Sequence, residues 1–237
     1  MSKSILKRIV YPIVYTVLSL GIVIAACFTF NSVYFESVFV DGSSMEPTLK
    51  GTEGVEGGAN FGFTDNSSVT KKHLKRFDII TTYYPFSSED YDLPYVKGSK
   101  LKDTAYYKIK RVIALPGDTF KIENNELYFK NEGRWLAPVN FDSYGIKRLL
   151  GIDGDYKDVK ETTLKDDEYW VMGDNWTFGG SKDSATMIGA DKWNGPIYYE
   201  NIIGKLIAIE GVCTIVTKNG KRECTNRVYY KNKIYFK

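Results

Sequence analysis

Apolar and polar positions divide the chain into two unequal parts. From Ile9 to Phe30 the sequence IVYPIVYTVLSLGIVIAACFTF runs for 22 residues without a charge. A helix of that length spans about 33 Å, enough for the ~30 Å hydrocarbon layer of a bilayer. Pro12 falls in its first turn, where a missing amide costs little. After Asn31 the pattern changes to short runs split by Gly, Asn and Asp. Phe77–Tyr84 is one such β-rich run. Tyr106–Leu115 is another, halted by Pro116-Gly117-Asp118. Phe120–Glu123 and Leu127–Lys130 flank Asn124-Asn125, which suits a tight hairpin turn. Tyr169–Met172, Ile202–Ile209, Cys213–Val216 and Arg227–Phe236 supply further strands, and no long amphipathic helix competes. The fold class predicted is mostly β, a folded antiparallel or barrel-like sheet behind one N-terminal transmembrane helix. The organisation expected is residues 1–8, a membrane helix over 9–30 and a β domain over 31–237. Two polar stretches, 51–74 and 131–167, are expected as loop or cap insertions.

Charge placement orients the anchor. Three of the 32 basic residues (Lys3, Lys7, Arg8) and none of the 29 acidic ones lie in residues 1–30, leaving 29 of each sign in the rest. The positive-inside rule puts residues 1–8 in the cytoplasm and the β domain outside. The balanced remainder offers no broad basic face for nucleic acid. A cleaved signal peptide would have a shorter apolar core followed by polar chain, whereas Phe28-Thr29-Phe30 continue this one. Ile24-Ala25-Ala26-Cys27 is similar to a lipoprotein box, but the run stays apolar past Cys27. With 43% hydrophobic and 15% aromatic residues among 237, disorder, collagen and coiled coil are excluded as whole-chain classes.

Histidine chemistry has little to work with. The single histidine, His73, sits in Lys71-Lys72-His73-Leu74-Lys75-Arg76, a poor setting for a Ser-His-Asp triad. Three cysteines, one of them in the apolar run, make no credible zinc site, and no cofactor is expected. Cys213 and Cys224 bracket Thr217-Lys218-Asn219-Gly220. A four-residue loop there sets them directly opposite, at bonding distance. A two-residue Asn-Gly turn makes them diagonal and too far apart.

The sharpest segment is Val40-Asp41-Gly42-Ser43-Ser44-Met45-Glu46-Pro47-Thr48-Leu49. A nucleophilic serine here has no histidine base, and lysine is the alternative. Burial disfavours an ammonium ion, and a neutral amine accepts a serine proton. Lys108 and Lys110 share one face of the Tyr106–Leu115 strand, with Ile109 and Arg111 on the other. Composition does not choose between the two lysines.

These segments together resemble the type I signal peptidases, membrane-bound serine proteases with a Ser/Lys dyad. The Gly-x-Ser-Met-x-Pro-Thr-Leu box matches at Gly42 through Leu49, and the Lys-Arg-Val-Ile-x-x-Pro-Gly-Asp box at Lys110 through Asp118. A third box matches at Gly173-Asp174-Asn175 with Ser181-Lys182-Asp183-Ser184. Phe77-Asp78-Ile79-Ile80 is similar to the intervening β segment. The resemblance implies Ser44 as nucleophile, Lys110 as general base, and Ser181 as the residue orienting the lysine. It also places Asp183 in a supporting ion-pair network. The backbone amides of Ser44 and Gly42 would hold the oxyanion, since glycine at 42 offers no side-chain donor. Signal peptides of translocated preproteins are the implied substrates. They would bind as an added strand along Ile79, Ile80, Tyr107 and Ile109. The lipid bilayer is the other implied partner.

The third box departs from the usual pattern. Trp176 stands where the family has arginine, two extra residues precede Ser181, and Ala185 replaces the final arginine, leaving Arg111 as the expected partner of Asp183. Such variants look most like Gram-positive relatives, some of which serve pilus assembly. The alternative function is a non-catalytic, chaperone-like assembly protein of pilus biogenesis. A self-cleaving repressor would need a DNA-binding helical region in place of the anchor. Phe30 to Ser44 is 14 residues, at most ~50 Å extended, so the serine is tied near the outer membrane surface. Phe35, Phe39, Met45, Tyr83, Tyr84 and Phe86 are candidates for lipid contact, or else pack a core.

Overall fold

The computed structural model describes residues 6–51, 58–83, 107–150, 158–177, 181, 183–185, 187–189, 192–218 and 221–236. The chain forms two compact units, Met1–Glu36 and Ser37–Lys237. In the first, a π-helical turn Leu6–Val10 leads into α1 (Tyr11–Tyr34). This helix has no buried side chain, and it is long and apolar enough to cross a membrane. It runs four residues past the expected end at Phe30, because Asn31, Ser32 and Tyr34 do not break a helix that already carries its own hydrogen bonds.

The second unit is β, with one short α-helix, α2 (Ser68–Lys72), and two 3-10 turns, Phe141–Tyr144 and Tyr199–Asn201, among its described residues. The strands are β1 (Phe35–Phe39, which begins in the first unit), β2 (Ala59–Asp65), β3 (Ile79–Tyr83), β4 (Tyr107–Ala114), β5 (Thr119–Glu123), β6 (Glu126–Asn131), β7 (Arg134–Trp135) and β8 (Leu149–Leu150). They continue with β9 (Val159–Thr163), β10 (Glu168–Met172), β11 (Asn175–Trp176), β12 (Met187–Gly189), β13 (Lys192–Trp193), β14 (Ile197–Tyr198), β15 (Ile202–Lys218) and β16 (Lys221–Tyr235). The main sheet runs β1-β2-β15-β3-β4-β10-β14, with β16 also on β15. β5 and β6 form the expected hairpin, and Asn124 and Asn125 both take positive φ, as that turn requires.

β15 organises the sheet. The sequence suggested two runs, but one strand continues through Gly211. It pairs with β3 over Ile202–Lys205, with β2 over Lys205–Cys213 and with β16 over Ala208–Lys218. Register shifts at Leu206/Ala208 and Ile209/Gly211 mark β-bulges, which bend a strand and let it serve more than one neighbour.

The stretch 51–74 is not a loop as expected: it contains β2 and α2. Its glycines and polar residues masked a short strand, although Ala59, Phe61 and Phe63 alternate with Asn60, Gly62 and Thr64. The stretch 131–167 contributes β7 and β9, the two edges of a second sheet ordered β7-β6-β5-β9. That sheet packs Phe120, Leu127 and Phe129 against Ile113, Trp170 and Trp176 in one cluster. A second cluster holds Ile80, Val112 and Val171, and a third holds Val40, Met45, Leu49, Ile79 and Ile209. Met45 is therefore core, 1% exposed, rather than a lipid-facing residue. Tyr84 and Phe86 lie outside the described residues.

Cys213 and Cys224 are bonded, with Cα atoms 5.6 Å apart. The register is nevertheless that of a two-residue turn, since Lys218 faces Lys221. Cys224 faces Ile215 across the ladder, so the bond joins a diagonal pair whose Cα atoms are still within bonding distance. The free cysteine among the described residues is Cys27, exposed on α1.

Candidate active site

Three segments converge on one lysine. Lys110 lies on β4, opposite Ile80 of β3, and is 2% exposed. Its amine lies 2.9 Å from Ser44 Oγ and 3.1 Å from Ser181 Oγ. Lys108, its neighbour on the same face, is half-buried, so of the two it is Lys110 that is withdrawn from solvent.

Ser44 sits in a turn that wraps over the third core cluster. Met45 and Leu49 point down into the core, and the amides of Glu46 and Leu49 donate to the carbonyls of Ser43 and Met45 at 3.0 and 2.9 Å. Gly42 precedes it with φ +89°, the left-handed region that glycine enters without strain. On the far side the third box is latched to this turn: Asn175 N–H donates to Ser44 O at 3.1 Å, and Asn175 Nδ2 donates to Ser43 O at 3.3 Å.

The charged residues differ from expectation. Arg111 makes its ion pair with Asp174, with Nε donating to Oδ1 at 2.7 Å and Nη2 to Oδ2 at 2.6 Å. Its Nη1 donates to Phe77 O at 2.7 Å. As the residue after Lys110 in a strand, Arg111 leaves the opposite face of β4, away from the Ser181 side. Asp183 instead accepts from the amides of Gly173 and Ala185, both at 3.0 Å, and so staples the turn after β10. Asp174 stands inside the same Gly-Asp-Asn box that the sequence singled out. The signal was present, but the role went to the wrong carboxylate.

Two of the three departures of that box have packing reasons. Trp176 is 1% exposed in the first core cluster, and its indole donates to Gly173 O at 2.9 Å. Arg148, from the segment before β8, lies over its ring at 4.4 Å and over Phe141 at 3.9 Å. Burial pushes the Arg148 guanidinium below its ordinary pKa, against the pull of Asp142 and Asp174. Ala185 is fully buried in that cluster, where the long side chain of an arginine would have to displace core residues.

Ile79 and Ile80 do not line an open edge. Both are buried core residues, and Ile80 pairs with Lys110 on one side and Lys205 on the other. β3 is thus an interior strand. Ile109 is half-buried against the third cluster, and Tyr107 pairs with Tyr83 at the start of β4. β10 joins β4 only from Arg111 to Ala114, beyond Lys110.

Fold and site define a class: a β protein carried behind an apolar helix, with a serine hydroxyl held against a buried lysine amine. The chain belongs to the family described as signal peptidase, peptidase S26, which it matches over residues 13–209. It is 29% identical to Signal peptidase I P of Bacillus subtilis subsp. natto over 142 residues, 60% of this chain and 62% of that protein. Signal peptidase I U of Bacillus subtilis (strain 168) is 28% identical over 170 residues, 71% of this chain and 75% of its own length. Signal peptidase I V of the same strain is 31% identical over 169 residues, 70% of this chain and 79% of its own. The match thus spans somewhat less than two thirds of the first relative. Family and apolar helix together support membrane association.

Proposed function

We propose that this chain is a membrane-anchored serine endopeptidase that removes signal peptides from translocated preproteins. The observation that carries it is the 2.9 Å separation of Lys110 Nζ and Ser44 Oγ, with the lysine almost fully buried. Burial disfavours the ammonium form and leaves an amine with a lone pair. The Ser44 hydroxyl donates its proton to that amine, and Oγ attacks the scissile carbonyl to form a tetrahedral adduct. Ser181 steadies the amine from its other side. The backbone amides of Ser44 and Gly42 stabilise the oxyanion, a contribution of ~2.7–4 kcal/mol per donor in comparable enzymes. Lys110 passes the proton to the leaving amine, then takes one from the water that hydrolyses the acyl-serine.

The substrate lies extended along Tyr107 and Ile109 at the start of β4, where strand addition supplies main-chain hydrogen bonds. Residues 1–8 face the cytoplasm and the β unit lies outside. Two observations support that orientation: Lys7 and Arg8 flank only the N-terminal side of α1, and the Cys213–Cys224 bond suits an oxidising compartment.

The test uses the full chain in detergent with two substrates, a secretory preprotein and a pilin precursor. Ser44→Ala and Lys110→Ala are each expected to lower cleavage by at least about three orders of magnitude with the β fold retained. Normal processing by either variant overturns the reading. A wild-type chain that leaves both precursors intact favours the chaperone-like alternative.

A further inference from the structure

Asn60, in β2, is 5% exposed and joins both ends of the turn that carries Ser44. At one end Val40 N–H donates to Asn60 O at 2.8 Å. At the other, Asn60 N–H donates to Lys50 O at 2.9 Å, and Lys50 N–H donates to Asn60 Oδ1 at 2.7 Å. The side-chain amide then donates to Gly211 O at 3.3 Å and to Tyr230 Oη at 3.0 Å. Asn60 thus bolts residues 40 and 50 to each other and to two strands of the main sheet, β15 and β16.

The same closure is tight elsewhere. A Cβ on Gly51 would fall 1.9 Å from Gly42 O, so the outgoing chain lies directly on the backbone that precedes the serine. The turn between these ends has few bonds of its own, and Met45 and Leu49 fix its depth but not its width. Asn60 anchors it on one side and Asn175 on the other, and Arg222 on Asp41 and Arg111 Nη2 on Thr48 Oγ1 at 3.5 Å add ties from outside it. Of the two asparagines, only Asn175 belongs to the third box of the sequence. Asn60 lies in the Gly-rich stretch that looked like an insertion.

We infer that Asn60 is a positioning residue for catalysis: it sets the span of the Val40–Lys50 turn, and so the place of the Ser44 hydroxyl and of the Gly42 and Ser44 amides. This rests on the function proposed above. Misplacing a reacting group by about 1 Å costs as much as 100-fold in rate, while the β4 edge that would bind substrate lies outside the turn. The loss should therefore appear in kcat and leave KM alone.

The experiment measures kcat and KM for preprotein cleavage by the full chain, per folded molecule as judged from melting curves. Asn60→Leu keeps the branching of the side chain and removes every side-chain hydrogen bond, and it is expected to lower kcat by about 10–100-fold with KM changed less than about two-fold. Asn60→Asp retains the acceptor for Lys50 N–H and loses both donations. Its expected fall is smaller, about 3–10-fold, and it carries the test should the Leu variant not fold. Tyr230→Phe removes only one of two acceptors and should leave kcat within about two-fold. Lower melting temperatures with kcat per folded molecule unchanged in both Asn60 variants overturn the inference alone. A wild-type chain without cleavage overturns the functional reading and this inference with it.

Discussion

Gly173 lies against the carbonyl of Ser44 so closely that a Cβ there would come within 2.1 Å of that oxygen, and within 2.5 Å of Ser181 Oγ. A residue with no side chain therefore sits between the Ser44 backbone and the Ser181 hydroxyl. Gly173→Ala has to push one or both aside, and backbone on the Ser44 side does not give way cheaply. Cleavage is expected to fall by about 100-fold or more in a preprotein assay, with a smaller loss of thermal stability. Activity near wild type would mean that this contact does not set the geometry.

Ser181 offers a cleaner perturbation, because its hydroxyl touches the amine and is not the proposed nucleophile. Ser181→Ala should keep the fold and reduce kcat by about tenfold or more, with KM little changed. A variant within about two-fold of wild type would remove Ser181 from the positioning role.

Arg111 and Asp174 form a buried pair, their side chains 6% and 2% exposed. Replacing one partner strands the other charge, so Asp174→Asn is expected to cost about 3–5 kcal/mol in denaturant unfolding. Arg111→Met with Asp174→Leu should cost less than the sum of the single changes. Additive losses would argue against the pair as a unit.

The Cys213–Cys224 bond closes a separation of 11 residues near the end of the β15–β16 hairpin. Changing both cysteines to serine is expected to lower stability by about 2–3 kcal/mol through loop entropy. The difference from wild type should vanish when both are measured under reducing conditions.

Asp65 governs an acid-dependent increment. Burial raises its carboxyl pKa, but hydrogen bonds from Thr70 and Ser67 outweigh this and hold it below the ordinary value. Thr70 Oγ1 donates at 2.5 Å and Ser67 N–H at 2.8 Å. A depressed folded pKa means stability that is present above the unfolded value of about 3.9 and lost as pH falls through the folded one. Asp65→Asn should be less stable than wild type by about 0.5–1 kcal/mol near pH 7, allowing for solvent screening. The gap should close as the wild-type carboxylate protonates, and a gap constant down to the lowest pH would contradict the assignment.

The chain by itself determined what depends on neighbours in sequence. The charge-free run from Ile9 to Phe30 demanded a long helix, the asparagine pair at 124–125 a tight hairpin, and the boxes at Gly42 and Lys110 the candidate chemistry. Which lysine loses contact with water, which carboxylate meets Arg111, and whether two diagonal cysteines can bond were left to the folded state. So was β2, hidden in a Gly-rich stretch. The reason is physical. Turns and spanning helices are specified by backbone preference and local polarity, whereas burial and pairing depend on register and on bulges that bring together residues far apart along the chain.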